Sequence, residues 1–178
     1  MRCRAGKLVF RPFCFVERTM DEKLTHIDES GNVVMVDVGD KTDTKRRAVV
    51  KARVLLNAHT FGLLTKNALP KGDVLTTAKI AGILAAKRTS ELIPMCHPIF
   101  LSKVDVRLTP VPTDFSIDVE AEARTTGPTG VEMEALVAAQ VAAMTVYDMC
   151  KAVQRDIRIT DCRLTHKSGG KSGEFNAA

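Results

Sequence analysis

The order in which hydrophobic patterns follow one another is the feature that most limits how this chain can fold. Residues 48–56 are β-branched and partly alternating, which predicts a strand. Small and apolar residues then recur at helical spacing over residues 74–92, and Pro94 is placed to end that helix. Alternating runs over residues 102–108 and 115–121 predict two further strands, joined by a turn.

A second long helix is predicted for residues 133–155, and a loosely alternating run over residues 157–164 predicts a last strand. The resulting order, β-α-β-β-α-β, is that of the ferredoxin-like fold. We therefore expect an α+β domain with an antiparallel sheet and two helices on one of its faces. Outside this order, residues 33–37 favour a small strand, and the Gly-rich residues 168–173 favour a flexible segment.

Length and composition indicate a globular protein with one domain. The 178 residues are 45% hydrophobic and 26% charged, and no apolar stretch reaches the roughly 18 residues that a membrane helix needs. Residues 1–20 are rich in arginine and poor in acid, so we expect a flexible extension ahead of a domain that spans residues 21–178. The net charge of +5 fits an anionic partner without distinguishing nucleic acid, nucleotide and phosphorylated metabolite.

The cysteines favour a reducing compartment. There are five, an odd number, and they form no C-x-x-C pair and no Cys/His set with zinc spacing. Cys96 and His97 are adjacent, which is an unsuitable spacing for two ligands of one metal ion. We therefore expect reduced thiols, no metal site and a cytoplasmic location.

Asp148 and Lys151 lie one turn apart on the second long helix and interrupt an apolar sequence. Two interpretations are open. The residues could form a surface ion pair, worth about 0.2–0.5 kcal/mol. Alternatively, on a partly buried face, each could tune the pKa of the other and the pair could share a general acid/base task.

Glu132 and Glu134 open the same helix, where the helix dipole favours carboxylates. Glu134 precedes Asp148 by 14 residues, which corresponds to roughly 21 Å along a straight helix at about 1.5 Å per residue. One small substrate cannot easily touch both within one chain. If both residues are functional, either the helix bends or a neighbouring subunit supplies one of them.

Further candidates lie in loops and at helix ends. His97 occupies a rigid loop between Pro94 and Pro98, where it could bind phosphate or transfer protons. Lys71 stands just before Asp73, a good N-cap, and a helix N-terminus is a natural anion site. The segment from Lys167 to Ser172 resembles a P-loop only superficially, because Thr165 replaces the first glycine and no helix can follow, but it could close over phosphates as a lid.

Together, eight motifs resemble those of the cyclic pyranopterin monophosphate synthases, the molybdenum-cofactor biosynthesis protein C family. The motifs follow one another in the family's order, and the likeness covers about residues 24–175. The motifs are MVDV (35–38), KGD (71–73), AKIAG (78–82), AAK (85–87), IPMCHP (93–98), GPTGVEMEAL (127–136), YDMCKAV (147–153) and KSGGKSG (167–173).

The resemblance implies a lyase reaction without a cofactor. The substrate would be a 3',8-cyclised dihydro-GTP, which is rearranged to cyclic pyranopterin monophosphate with release of pyrophosphate. By position in the family motifs, Asp148 and Lys151 are the catalytic pair. The implied substrate-binding residues are Met95, Cys96, His97, Met133, Glu134, Lys71, Lys87 and Lys167. The family also implies a ferredoxin-like homohexamer, a trimer of dimers, with active sites at subunit interfaces.

Two other classes of function are compatible with the same topology. An RNA-binding module would carry aromatic stacking residues on its central strands, and of the predicted strands only the run that begins at Phe115 has one. A regulatory nucleotide-binding domain would bind phosphates but would not need Asp148 beside Lys151. We therefore expect a small nucleotide-derived substrate, and neither nucleic acid nor membrane as a partner.

Overall fold

A single antiparallel sheet organises residues 44–176 within residues 30–177, the part of the chain that the computed structural model describes. The predicted extension, residues 1–20, lies outside these residues. Within them the sheet has five strands in the order β2-β3-β1-β4-β5. The strands are β1 (Thr44–Leu55), β2 (Lys103–Val111), β3 (Ser116–Gly127), β4 (Arg158–Ser168) and the short β5 (Phe175–Asn176).

Helices connect the strands in the order that the sequence predicts. The described helices are α1 (Ala58–Thr65), α2 (Val74–Ala86), the single turn α3 (Thr89–Leu92) and α4 (Glu132–Cys150). The two long helices, α2 and α4, pack against each other and against the sheet. This arrangement, with the strand order β2-β3-β1-β4, confirms the ferredoxin-like prediction. No helix of the described residues has both the length and the apolar character to cross a membrane.

The core lies between the sheet and the two long helices. Alternate residues of β1, among them Val50 and Val54, are fully buried, as are Ile117 and Val119 of β3. On α4 the buried positions are mostly alanines: Ala135, Ala138, Ala139, Ala142 and Ala143. Small side chains let the helix axes approach closely, so dense packing replaces large aromatic groups in this core.

The sheet face that points away from α2 and α4 is charged. On this face Arg53 lies directly opposite Asp118, and Arg107 opposite Glu120. Arg47 reaches Glu122 diagonally, because the residue directly opposite it is Arg124. Cross-strand pairs of opposite charge stabilise a sheet. The shortest of these ion pairs are Arg47–Glu122, Arg53–Asp118 and Arg107–Glu120, at 2.6, 2.7 and 2.9 Å.

Both long helices end earlier than the sequence predicts. The helix predicted for residues 74–92 ends at Ala86, and residues 89–92 form the separate α3. The helix predicted to reach residue 155 ends at Cys150, because the chain turns there and Gln154 becomes buried. Its side-chain oxygen accepts a hydrogen bond of 2.9 Å from the backbone N–H of Asn57, a long-range contact that no local pattern encodes.

Other differences concern whole elements. The small strand predicted for residues 33–37 is wrong: Val33 forms only an isolated bridge and residues 35–37 are in no strand. Their apolar side chains are largely exposed, so little burial favours a strand there. The sequence analysis missed α1 and β5 and did not separate α3 from α2. The N-cap at Asp73 is confirmed, because its side chain accepts a hydrogen bond from the backbone N–H of Thr76.

Two helical glycines allow a matched test of the packing. A Cβ atom added to Gly82 in α2 would lie 2.7 Å from the backbone oxygen of Ala138 and 3.2 Å from Cβ of Ala142. At Gly62 in α1 it would meet nothing within 4 Å. We expect Gly82→Ala to destabilise the protein by about 1–3 kcal/mol through overpacking, and Gly62→Ala to stabilise it by about 0.5–1 kcal/mol through helix propensity. Chemical denaturation of both variants measures this, and equal effects would contradict the close packing of α2 on α4.

Candidate active site

Asp148, at the C-terminal end of α4, forms ion pairs with two lysines. Lys151 Nζ lies 2.8 Å from Asp148 Oδ1, one turn along the chain. Lys71 Nζ lies 2.7 Å from Asp148 Oδ2 and donates a second bond of 3.1 Å to the backbone oxygen of Asp148. The structure therefore brings together the predicted catalytic pair and a predicted binding lysine from a segment 77 residues away.

Local structure fixes both partners of Asp148. Lys71 stands in a turn whose next residue, Gly72, has a φ of +82° that favours glycine, and Asp73 then caps α2. Lys151 is the C-cap of α4, with helical backbone angles that keep it on the same face as Asp148. The turn before α2 thus places Lys71 against the C-terminal end of α4.

The ion pairs favour the charged forms of Asp148 and Lys151. Hydrogen bonds from Lys151, then from Lys71, lower the pKa of Asp148 to about 2. The hydrogen bond to Asp148 in turn raises the pKa of Lys151. The side chains of Asp148 and Lys151 are half exposed, which leaves them accessible to a substrate. Two cations on one carboxylate give the site a net positive charge. Asp148 can accept a proton near neutral pH only after a substrate has separated it from a lysine, because the lysines lower its pKa.

A pocket of about 300 Å³ adjoins this cluster. Its described lining consists of Lys71, Tyr147, Lys151, Ala152 and Arg155. The Tyr147 hydroxyl donates to the backbone oxygen of Arg155 at 3.2 Å and so ties the end of α4 to the following turn. The sequence analysis assigned no function to Tyr147 or Arg155. The family-like motif YDMCKAV contains Tyr147 and was the signal available for it.

A second cluster forms at the opposite end of α4, around Glu134. Burial, with a contribution from the charge of Glu132, raises the pKa of Glu134 to about 7, although a bond from its own backbone N–H lowers it. Burial and the charge of Glu134 also raise the pKa of Cys96. The charge interaction with Glu134 places Cys96, the middle residue of the predicted loop of Met95, Cys96 and His97, near the start of α4.

Lys167 belongs to the second cluster, whereas Lys87 joins neither. Lys167 Nζ lies 3.3 Å from Glu132 Oε1 and donates to Ser172 Oγ at 3.0 Å. Lys87 is the exposed C-cap of α2, and among the described residues no hydrogen bond or ion pair links it to Asp148 or Glu134.

Within residues 30–177, no group of three His, Cys, Asp or Glu side chains is arranged to hold a metal ion.

Residues predicted to form one site therefore lie in two clusters within one chain. We call them the Asp148 cluster (Lys71, Asp148, Lys151) and the Glu134 cluster (residues 95–97, Met133, Glu134, Lys167). A continuous α4 separates them, and 14 residues of helix correspond to roughly 21 Å at about 1.5 Å per residue. A bend in α4 therefore does not bring them together.

The raised pKa of Glu134 predicts that the stability of the fold depends on pH. With a folded pKa of about 7 against an ordinary 4.5, the folded chain holds a proton that the unfolded chain has lost. Stability must then fall as the pH rises from about 4.5 to 7, by at most about 3 kcal/mol. We expect Glu134→Gln to remove this part of the pH dependence in thermal unfolding experiments. A variant with the same slope as the unmodified protein would contradict the buried, protonated state.

Comparison with known proteins supports the family resemblance that the motifs indicate. The model of the MoaC family matches residues 35–170. A cyclic pyranopterin monophosphate synthase of Oleidesulfovibrio alaskensis is 66% identical over 158 residues, which cover 89% of this chain and 99% of the relative. The synthase of the same name from Nitratidesulfovibrio vulgaris is 66% identical over 86% of this chain and 95% of its own length. One from Pelotomaculum thermopropionicum is 53% identical over 85% of this chain and 89% of its own length. With this likeness over nearly the whole described fold, the chain belongs to the MoaC family.

Proposed function

We propose that this protein is a cyclic pyranopterin monophosphate synthase of molybdenum-cofactor biosynthesis. It is a lyase that converts 3',8-cyclised dihydro-GTP to cyclic pyranopterin monophosphate and releases pyrophosphate. The relatives named for this activity are 53–66% identical to most of the chain. The structural observation that supports the assignment best is the carboxylate of Asp148 held between the ammonium groups of Lys71 and Lys151.

The Asp148 cluster suits the chemistry of this reaction. Ring opening, ring closure and phosphate cyclisation all need protons to move at a bound substrate, and a positioned acid and base provide for this. When an anionic substrate group binds a lysine, the hydrogen bonds that lower the pKa of Asp148 weaken, and its carboxylate becomes a better base. Lys71 and Lys151 then remain as cations beside the phosphate.

We infer the binding roles of the Glu134 cluster from its position in the family-like motifs, and its chemistry supports them. Buried Glu134 and the loop of Cys96 and His97 offer polar groups in a partly dehydrated environment, which suits a heterocyclic ring with N–H groups. Lys167 adds a cation from β4. Lys87, which is exposed on α2, is assigned to substrate binding only through its position in the family-like motif.

The separation of the two clusters supports a site shared between subunits. Because α4 holds them apart within one chain, we infer that the Asp148 cluster of one subunit meets the Glu134 cluster of a neighbour, in a homohexamer built as a trimer of dimers. The cytoplasmic location is proposed from cysteine usage, and Cys96, Cys150 and Cys162 are free. The single domain over residues 21–178 likewise stays a prediction.

Substitution of the central ion pair tests the catalytic assignment. We expect Asp148→Asn and Lys151→Ala each to lower turnover at least ~100-fold, because a positioned acid/base group is lost. Pyrophosphate release from the 3',8-cyclised dihydro-GTP measures turnover. Asp156→Asn, which changes an exposed carboxylate beyond the end of α4, is the matched control and should keep turnover. Near-normal activity of Asp148→Asn would disprove the catalytic role.

Mixed assemblies test whether two chains share one site. Asp148→Asn and Glu134→Gln subunits, once each is shown to lack activity alone, are unfolded together at equal amounts and refolded. An intact site needs Asp148 from a Glu134→Gln chain and Glu134 from an Asp148→Asn chain. With random pairing this occurs in about one site in four, so about a quarter of the original activity should return.

The control for this experiment mixes Asp148→Asn with Lys151→Ala. Both residues belong to one cluster of one chain, so no mixed site regains both, and activity should stay absent. If the Asp148→Asn and Glu134→Gln mixture also stayed inactive, a shared site would be excluded.

A further inference from the structure

Lys151 stands where α4 ends, and its position depends on the turn that follows the helix. The last carbonyl groups of a helix have no partner within it, so a helix end loosens readily. Here the backbone N–H of Lys151 donates to the backbone oxygen of Tyr147 at 2.8 Å. The N–H groups of Val153 and Gln154 both donate to the backbone oxygen of Cys150, at 2.9 and 3.1 Å. The turn thus closes the end of the helix and carries Lys151 with it.

Two side-chain hydrogen bonds fasten this turn to the rest of the fold. The Tyr147 hydroxyl donates to the backbone oxygen of Arg155 at 3.2 Å. The buried side chain of Gln154 accepts from the backbone N–H of Asn57 at 2.9 Å, which joins the turn to the start of α1. Gln154 therefore holds the turn against the core, whereas Tyr147 holds it beside the pocket that adjoins Asp148.

Tyr147 is placed to act on Lys151. The two residues are four apart and so share a face of the helix end, and both line the pocket of about 300 Å³. The ring of Tyr147 is half-buried and packs against the core, which fixes one end of the side chain. A phenylalanine would supply the same ring, so the contribution specific to tyrosine is the hydroxyl that reaches the turn.

The side chain of Lys151 cannot hold its own position. Its ammonium group lies at the end of a flexible stem, and about half of the side chain is exposed. The distance of 2.8 Å from Lys151 Nζ to Asp148 Oδ1 is that of a hydrogen bond, and a shift of about 1 Å would break it. A displacement of about 1 Å at a catalytic group can lower turnover by about 100-fold. A small movement of the turn therefore affects the reaction more than the stability of the fold.

We propose that Tyr147 is a positioning residue, whose hydroxyl holds the turn after α4 so that Lys151 stays against Asp148. This inference rests on the proposed function, in which Asp148 and Lys151 are the catalytic pair. Tyr147 acts through the backbone of the turn, and the proposal gives it no proton to transfer and no substrate to bind. A residue of this kind influences the rate of the chemical step more than the affinity for the substrate.

Tyr147→Phe tests the inference, because it removes the hydroxyl and keeps the ring. We expect kcat for pyrophosphate release to fall at least ~10-fold and KM to change less than ~2-fold, since a misplaced lysine weakens the transition state more than binding. Thr145→Val is the matched control on the same helix. Its hydroxyl donates to the backbone oxygen of Val141 at 2.7 Å, outside the described lining of the pocket, so this variant should keep its kcat. A normal kcat in Tyr147→Phe would overturn the inference, and a raised KM beside it would make Tyr147 a binding residue instead.

Chemical labelling of lysines tests the position of Lys151 without substrate. Amine reagents attack the uncharged amine, and the hydrogen bond to Asp148 raises the pKa of Lys151, so the ion pair slows labelling. Mass spectrometry should show Lys151 labelled at least ~3-fold faster in Tyr147→Phe than in the unmodified protein. Asp148→Asn gives the rate without the ion pair, and the exposed Lys66 should be labelled equally in every variant. An unchanged rate at Lys151 would show that the hydroxyl does not hold the lysine in place.

The inference and the proposed function fail in different ways. If the unmodified protein releases pyrophosphate but Tyr147→Phe keeps both its kcat and its labelling rate, the positioning role fails and the function stands. If the unmodified protein releases none, but Lys151 is labelled faster in Tyr147→Phe, the hold of Tyr147 on Lys151 stands and the function fails. Thermal unfolding, together with the equal labelling of Lys66, shows that neither result reflects a loss of fold.

Discussion

The close antiparallel packing of α2 on α4 determines where the functional residues lie. Gly82 meets Ala138 and Ala142 near the middle of both helices. Because the helices run in opposite directions, the segment before α2 reaches the end of α4, and Lys71 meets Asp148 there. The segment after α2 and α3 returns to the start of α4, where Cys96 interacts with Glu134. One helix–helix contact thus produces both clusters, and small residues along it are needed for the approach.

The two clusters differ in solvent exposure, and this difference assigns them different chemistry. Asp148 is half exposed and held as a carboxylate by two lysines, so its protonation responds to whatever displaces those lysines. Glu134 is buried and takes up a proton near neutral pH because its environment disfavours the charge. The first group is suited to reacting with a charged substrate, and the second to recognising a neutral ring.

The sequence predicted the elements with long, regular patterns and missed those that depend on distant contacts. β1 and β3 alternate over many residues, so their faces could be assigned before the structure was known. In contrast, α1 is short and contains Gly62, and it is stabilised by burial of Phe61 and Leu64. The Asp148–Lys151 contact follows from helical spacing. The Lys71–Asp148 contact spans 77 residues and was not predicted, because the family resemblance only assigned both residues to one site. The burial of Glu134 was not predictable, because a carboxylate at a helix start is usually exposed.

The charged face of the sheet argues against an RNA-binding function. In sheet proteins that bind RNA, aromatic rings on the central strands stack with bases. Here the corresponding face of β1 and β3 carries Arg53 paired with Asp118, and Arg47 paired with Glu122. Ion pairs in these positions use the charges that a nucleic-acid backbone would otherwise contact.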